Sequence, residues 1–367
     1  MSKKIKVFGA ALDPSDTQTK ISIKQAHLSA LASGNKERTK FLDAYDTFIF
    51  YSKYLKLPDF EKIGKFPIES WLRPKPDLED FQFINPLDFR IFLDSNGCKE
   101  YSDEIEQFIE ERVLPDIPLM IGADHSLTGG VLNVLSDKFG AKNITLIILD
   151  GHFDGIPSKL RLDLAKYSKE HKEEIGIFFP ELVDSINENL EIPRTYNCGT
   201  FLSYLIEEGK IKPENLIVFG CMDYPRDEFR SIKDPRVKNY VDFYLSYEKK
   251  GVKFIPNSSN NEKMKNQFEE ALQSINTPYV YVSIDVDVGA LNAILASRFY
   301  DYTGVDEECL NNVAESLKNF IHTKKVELVG LDIMEVETYF LNVKLKKFGK
   351  TDNTIEIMDN ILEIMVQ

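Results

Sequence analysis

Side chains able to bind a metal alternate with side chains that cannot in Asp150-Gly151-His152-Phe153-Asp154. In an extended chain positions i, i+2 and i+4 project to one side. That spacing therefore sets two carboxylates and an imidazole on one face, where they would repel and shift one another's pKa unless a cation sat among them. Asp285-Val286-Asp287 repeats the i, i+2 arrangement. His125, within Gly122-Ala123-Asp124-His125-Ser126, and the pair Asp332 and Glu335 supply further groups of the same kind. Any one of these is an ordinary loop feature, but four in a single chain form a pattern.

Each group follows a short apolar run. Ile117-Pro118-Leu119-Met120-Ile121 precedes His125, and Ile144-Thr145-Leu146-Ile147-Ile148-Leu149 precedes Asp150. Tyr279-Val280-Tyr281-Val282-Ser283-Ile284 precedes Asp285, and Val326-Glu327-Leu328-Val329-Gly330-Leu331 precedes Asp332. Runs of this length, rich in β-branched residues, read as buried strands of a parallel sheet. Helical spacing over 126–139, 262–275 and 309–320 alternates with them, which argues for βαβ units. In an open parallel sheet, ligands bind outside the carboxyl ends of the strands. Groups far apart in sequence would then meet in one cleft.

That cleft would offer two imidazoles (His125, His152) and four carboxylates (Asp150, Asp154, Asp285, Asp287). An oxygen-dominated set without thiolate suits Mn or a similar divalent ion better than structural zinc. Six ligands are too many for one catalytic metal with an open position. They suit two metals about 3.5–4 Å apart that share a hydroxide and hold it as a nucleophile near neutral pH.

The rest of the chain reads as scaffold. Residues 5–9 form a first strand and 22–33 a helix closed by Gly34. The stretch 40–100, with Phe48, Phe50, Tyr51, Tyr54 and Trp71 among five prolines, reads as helices and loops that cover a sheet edge, or as an insertion. A helix is expected over 102–113, a mixed charged segment over 156–195, and a helix from Thr200 to Glu208. Beyond it come a strand at 216–220, a helix at 240–249, a strand at 251–255 and an amphipathic helix at 352–366. With no repeat or evident linker, residues 1–367 read as one domain.

Composition narrows the function class. The 367 residues are 43% hydrophobic and carry a net charge of -14. That disfavours nucleic-acid binding, which needs clustered Lys and Arg. Cys98, Cys198, Cys221 and Cys309 have no C-x-x-C spacing and read as free thiols of a reducing compartment. No run approaches a membrane span, and residues 1–7 are basic without an apolar segment long enough for a signal peptide, so none is expected. A soluble cytoplasmic protein, without nucleic-acid or membrane partners, is expected.

Gly122-Ala123-Asp124-His125-Ser126, Asp150-Gly151-His152-Phe153-Asp154, Ser283-Ile284-Asp285-Val286-Asp287 and Gly330-Leu331-Asp332-Ile333-Met334-Glu335-Val336 together resemble the four motifs of the ureohydrolases, the arginase and agmatinase superfamily. They occur in the family's order over about 117–337, and 198–209 resembles a helix of agmatinase-like members. The resemblance implies a three-layer α/β/α fold with a mainly parallel central sheet, and two manganese ions. One ion would be held by His125, Asp150, Asp154 and Asp285, the other by His152, Asp150, Asp285 and Asp287, with Asp150 and Asp285 bridging. It implies that Glu335 pairs with the substrate's guanidinium, a role suited to a carboxylate that can accept two parallel N–H bonds. Asp124 would orient its neighbours, Asp332 would be structural, and Asp154 would accept or donate the transferred proton. The expected reaction is attack of the bridging hydroxide on a guanidino carbon, agmatinase-like, releasing urea. A formimino-group hydrolase is the near alternative, and a metal-binding scaffold without turnover the distant one. A homo-oligomer, trimer or hexamer, is implied by resemblance alone.

Three departures bear on the substrate. Cys198 stands where the family commonly has a His before Gly-Thr, often described as a proton shuttle; a thiol titrates near 8.5 against about 6.5 for imidazole. The family's usual Asp-Pro turn after Asp287 is replaced by Val288-Gly289-Ala290-Leu291-Asn292-Ala293, followed by Arg298-Phe299-Tyr300-Asp301-Tyr302. Arg298 is a candidate partner for a substrate carboxylate. Gly155-Ile156-Pro157 lacks the polar residues that arginases use for an amino-acid head group, which argues against arginine itself.

Overall fold

The computed structural model describes residues 3–34, 40–176, 194–324, 326–345 and 350–365. Eight strands form one sheet: β1 (Ile5–Ala10), β2 (Phe60–Lys65), β3 (Ile117–Gly122), β4 (Ile144–Leu149), β5 (Leu216–Cys221), β6 (Lys253–Pro256), β7 (Tyr279–Asp285) and β8 (Glu327–Met334). Their order across the sheet is β2-β1-β3-β8-β7-β4-β5-β6. Every pairing in it is parallel.

Alternation along the strands builds a core on each face. In β4 all six residues are buried. Ile144, Leu146 and Ile148 join one apolar cluster, while Ile147 and Leu149 join the other. Helices Leu127–Phe139 and Pro235–Lys249 contribute to the first cluster, Asn261–Gln273 and Glu307–Lys324 to the second. This is the expected three-layer arrangement, with helices on both faces because a parallel sheet leaves neither face polar.

The strand order is what makes a site. β3, β8, β7 and β4 are consecutive neighbours. They are the four strands that end in the metal-ligand motifs, and their ends are level: Ile121 pairs with Ile333, Asp285 with Met334, and Leu149 with Ile284. At the β3 end the backbones close tightly, since a Cβ on Gly122 would lie 2.6 Å from the Ala10 carbonyl oxygen.

Elsewhere the observed boundaries differ modestly. The first helix spans Gln18–Ala32, and the tail is a helix over Thr354–Leu362 with a 3₁₀ turn after it. The stretch 40–100 contains an edge strand, β2, beside β1. Its sequence, Phe-Glu-Lys-Ile-Gly-Lys, is mostly polar because an edge strand is half-exposed, so no apolar run marks it. The charged segment 156–195 contains a helix at Ser158–Glu170, and its part at 177–193 lies outside the described residues. Among the described residues no helix is long and apolar enough to cross a membrane.

Candidate metal centre

His125 leaves β3 and precedes the helix Leu127–Phe139. Its ring is fully buried, and Nδ1 lies 3.0 Å from Asp154 Oδ2, 3.3 Å from Asp285 Oδ2 and 3.4 Å from Asp150 Oδ2. Nε2 lies 2.8 Å from Ser283 Oγ, whose hydroxyl donates to Asp332 Oδ1 at 2.6 Å. Because that hydroxyl proton is committed to Asp332, the serine oxygen accepts from Nε2–H. This tautomer turns the Nδ1 lone pair onto three carboxylates. Four electron-rich groups facing one another without a proton or cation would be strongly repulsive.

His152 presents a second Nδ1, 2.7 Å from Asp287 Oδ2 and 3.8 Å from Asp150 Oδ1. Asp150 therefore turns one oxygen toward each imidazole. Its Oδ1 also accepts the His152 N–H at 2.6 Å, while its Oδ2 is buried with no hydrogen-bond partner. Asp285 Oδ1 accepts the Asp287 N–H at 2.8 Å and its Oδ2 faces His125; Asp287 Oδ1 accepts the Gly151 N–H at 2.9 Å. Two groups with metal-ligand spacing result, His125/Asp150/Asp154/Asp285 and Asp150/His152/Asp287, with the ligand atoms of each within 4.8 Å of one another. Asp150 belongs to both. Asp285, expected to bridge as well, falls in the first group only.

The orphaned Asp150 Oδ2 and the fixed Nδ1 lone pair of His125 show that the donor set fits a cationic group. The electrostatics agree. Burial opposes the charge on both imidazoles, but the surrounding carboxylates outweigh it and hold His125 and His152 above their ordinary range. Burial together with neighbouring carboxylates pushes Asp150 and Asp285 up as well. Asp287 is the exception: burial would raise it, and His152 holds it below the usual range.

The remaining sequence candidates gather on the β3/β8 side. Glu335 follows β8 with φ 57°, a left-handed conformation unusual for a non-glycine residue. Its Oε1 accepts the His125 N–H at 2.9 Å, and its Oε2 accepts Arg298 Nη1–H at 2.7 Å. Burial pushes its carboxyl up to about 8, against the pull of Arg298. Arg298 is 3% exposed; its Nη2 lies 2.6 Å from Asp13 Oδ1 and its Nη1 3.6 Å from Asp124 Oδ2. Carboxylates of the chain itself thus take up both Nη atoms of this guanidinium, where the sequence suggests a substrate carboxylate, and its buried Nε has no hydrogen-bond partner. Asp124 also accepts the Ser126 N–H at 3.1 Å at the start of the next helix. The half-buried Cys198 groups with Asp124 and Glu335, and burial with those two acids keeps its thiol protonated.

Several residues escape sequence reasoning. Ser283 could have been found, since it sits two residues before Asp285 on the same strand face. Asp332, read as structural, accepts from Ser283, from Tyr281 at 2.6 Å and from Thr128 at 2.8 Å, so it supports His125 through the serine. Arg161 Nη2, 3.7 Å from Asp154 Oδ1 and 3.3 Å from the Gly199 carbonyl oxygen, carries no local signal. Neither does Asp223, which accepts from the Phe153 N–H at 3.1 Å and the Tyr244 hydroxyl at 2.6 Å. Asp301 Oδ2, in the altered loop after Asp287, lies 3.8 Å from His152 Nε2.

Known proteins share this architecture. The family described as the arginase family matches residues 62–344. An arginase of Staphylococcus aureus (strain MRSA252) is 26% identical over 215 residues, covering 56% of this chain and 59% of the relative. The chain thus spans little more than half the length of the curated relatives it matches. Among solved structures, formimidoylglutamase from Bacillus subtilis superposes with a TM-score of 0.55 at 14% identity, covering 99% of this chain and 87% of that one. Arginase from Bacillus caldovelox superposes with a TM-score of 0.53 at 14% identity, covering 98% of each. These likenesses concern the fold. With well over half its length matched, the chain belongs to the arginase family.

Proposed function

Starting from that membership, we propose that this protein is a two-metal hydrolase that cleaves a C–N bond of a linear amidine, with manganese as its ion. One observation carries the proposal: two imidazole Nδ1 atoms and four buried carboxylates converge at the ends of adjacent strands, with Asp150 turned toward both groups. His125, Asp150, Asp154 and Asp285 would hold one ion; His152, Asp150 and Asp287, joined by Asp285, the other. Two divalent ions there would supply a water-derived nucleophile near neutral pH.

The chain's own residues do the rest. Ser283 and Asp332 fix the His125 tautomer, and Arg161 beside Asp154 Oδ1 keeps that carboxylate oriented. Asp154 takes up the proton released by the attack and delivers it to the leaving amine. Cys198 reaches the same wall as a neutral thiol, able to donate a hydrogen bond and poor at accepting a proton near pH 7.

Two substrate classes compete, a guanidino compound that releases urea and a formimino compound that releases formamide. The Arg298–Glu335 pair favours the second. A formimino carbon bears hydrogen where a guanidine bears a third nitrogen, so it has fewer N–H donors for carboxylates to meet. Trimeric or hexameric assembly and a cytoplasmic site of action belong to the same proposal. The test is a panel of guanidino and formimino compounds offered to manganese-loaded protein, with urea, formamide and ammonia measured. Turnover of a formimino compound is expected; silence across the panel would leave a metal-binding scaffold as the better account.

A further inference from the structure

The wall beside the metal centre is a pocket built for a planar cation, and the chain fills it with its own. Glu335, Asp13 and Asp124 present carboxylates to it and Ala123 presents a carbonyl oxygen. Arg298 donates from Nη1 to both Ala123 and Glu335, and its Nη2 lies against Asp13. The backbone locks the same contact. Arg298 N–H donates to the Glu335 carbonyl at 2.9 Å, Glu337 N–H donates to the Ala296 carbonyl at 2.9 Å, and Ser297 bridges to Val336. Asp13 is further pinned by Lys24, whose Nζ is 3.1 Å from Asp13 Oδ2. Both Glu335 oxygens are thereby committed, one to His125 N–H and one to Arg298.

We propose that Arg298 is the specificity-determining residue of this site: its guanidinium occupies the carboxylate pocket of Glu335, Asp13 and Asp124, so the site takes amidines that make no use of that pocket and rejects guanidinium groups that need it. The proposal rests on the reading of the site as an amidine hydrolase but is tested without turnover. A competing guanidinium would have to expel Arg298 from three buried carboxylates. Breaking a buried, hydrogen-bonded pair costs on the order of a hundredfold or more in an equilibrium constant. A formamidine-type group has no third nitrogen to place against these carboxylates, so its binding need not displace Arg298. Arg298 acts here as a positioning residue, since it holds Glu335 and reaches no reacting atom itself.

The experiment is calorimetric titration of the full-length, manganese-loaded protein with formamidinium and with guanidinium, at millimolar concentrations far below denaturing ones and at constant ionic strength. The wild type should bind formamidinium at least tenfold more tightly than guanidinium. Equal binding of the two, including no binding of either, or tighter binding of guanidinium overturns the proposal. Arg298→Ala opens the pocket and should reverse the order, with low-millimolar guanidinium raising its melting temperature by several degrees while urea, the neutral isostere, does not. A folded variant that ignores guanidinium also overturns the proposal. If the variant does not fold, the wild-type comparison decides. Selective amidine binding without turnover of any panel compound would defeat the hydrolase reading and leave this one standing.

Discussion

Ser283→Ala isolates the support of His125 from its metal-facing side. In the wild type the hydroxyl sits 2.8 Å from His125 Nε2 and 2.6 Å from Asp332 Oδ1. Its removal leaves a buried Nε2–H without an acceptor. It also strips Asp332 Oδ1 of its donor, while Oδ2 keeps Tyr281 and Thr128. Each of these two buried groups left unmet costs about 1–3 kcal/mol, so metal-free protein should lose roughly 2–6 kcal/mol of stability. With its ring no longer tethered, His125 samples orientations in which Nδ1 does not face Asp150, Asp154 and Asp285. Losing such a support typically lowers metal affinity by about 10- to 100-fold. Manganese binding followed by calorimetry, with equilibrium denaturation in parallel, reads both quantities. A variant that binds manganese within twofold of wild type would show that the Ser283–Asp332 chain does not orient the ligand, and the tautomer argument would fail with it.

Metal loading should also release protons. His125 and His152 are held above their ordinary range, so in metal-free protein protons are favoured where a cation would sit; a cation must displace them, giving proton release on loading and an affinity that rises with pH. Calorimetry in buffers of different ionisation enthalpy measures this, and a flat affinity between pH 6 and 8 would contradict it. The same shifts fix the sign for stability. With folded values above the unfolded value of about 6.5, the imidazoles stabilise metal-free protein fully below that value, and the contribution is lost as pH rises through the folded ones. The melting temperature of metal-free protein should therefore fall with rising pH in that window, while manganese-loaded protein changes little. Asp285→Asn removes one of the charges facing His125 Nδ1 and should lose metal and activity together; two retained ions, counted by elemental analysis, would sink the ligand assignment. Cys198→His should leave manganese content unchanged, because the thiol groups with Asp124 and Glu335 and not with either ligand set; a large loss of metal would make Cys198 a ligand.

The ligand motifs were legible because the backbone writes them locally. A strand end that projects alternate residues to one side makes Asp150, His152 and Asp154, or Asp285 and Asp287, readable from spacing alone. The apolar runs before them are equally local, since a strand buried on both faces must be apolar throughout, and the parallel three-layer sheet follows from their alternation with helices. The edge strand β2 was missed for the converse reason, that a half-exposed strand need not be apolar.

Tertiary structure decided everything that depends on two distant segments meeting. Sequence order does not reveal that β3, β8, β7 and β4 lie side by side, so the convergence of their ends was an expectation until the strand order was seen. The support behind His125 joins residues more than 150 positions apart, and Arg161 and Asp223 reach the site from segments with no motif at all. Arg298 is the clearest case. As a sequence feature it was a cation near an altered loop, free to face solvent or substrate. Burial among Asp13, Asp124 and Glu335 gives it a different partner, because a charge removed from water must be paired, and the nearest carboxylates come from three other parts of the chain.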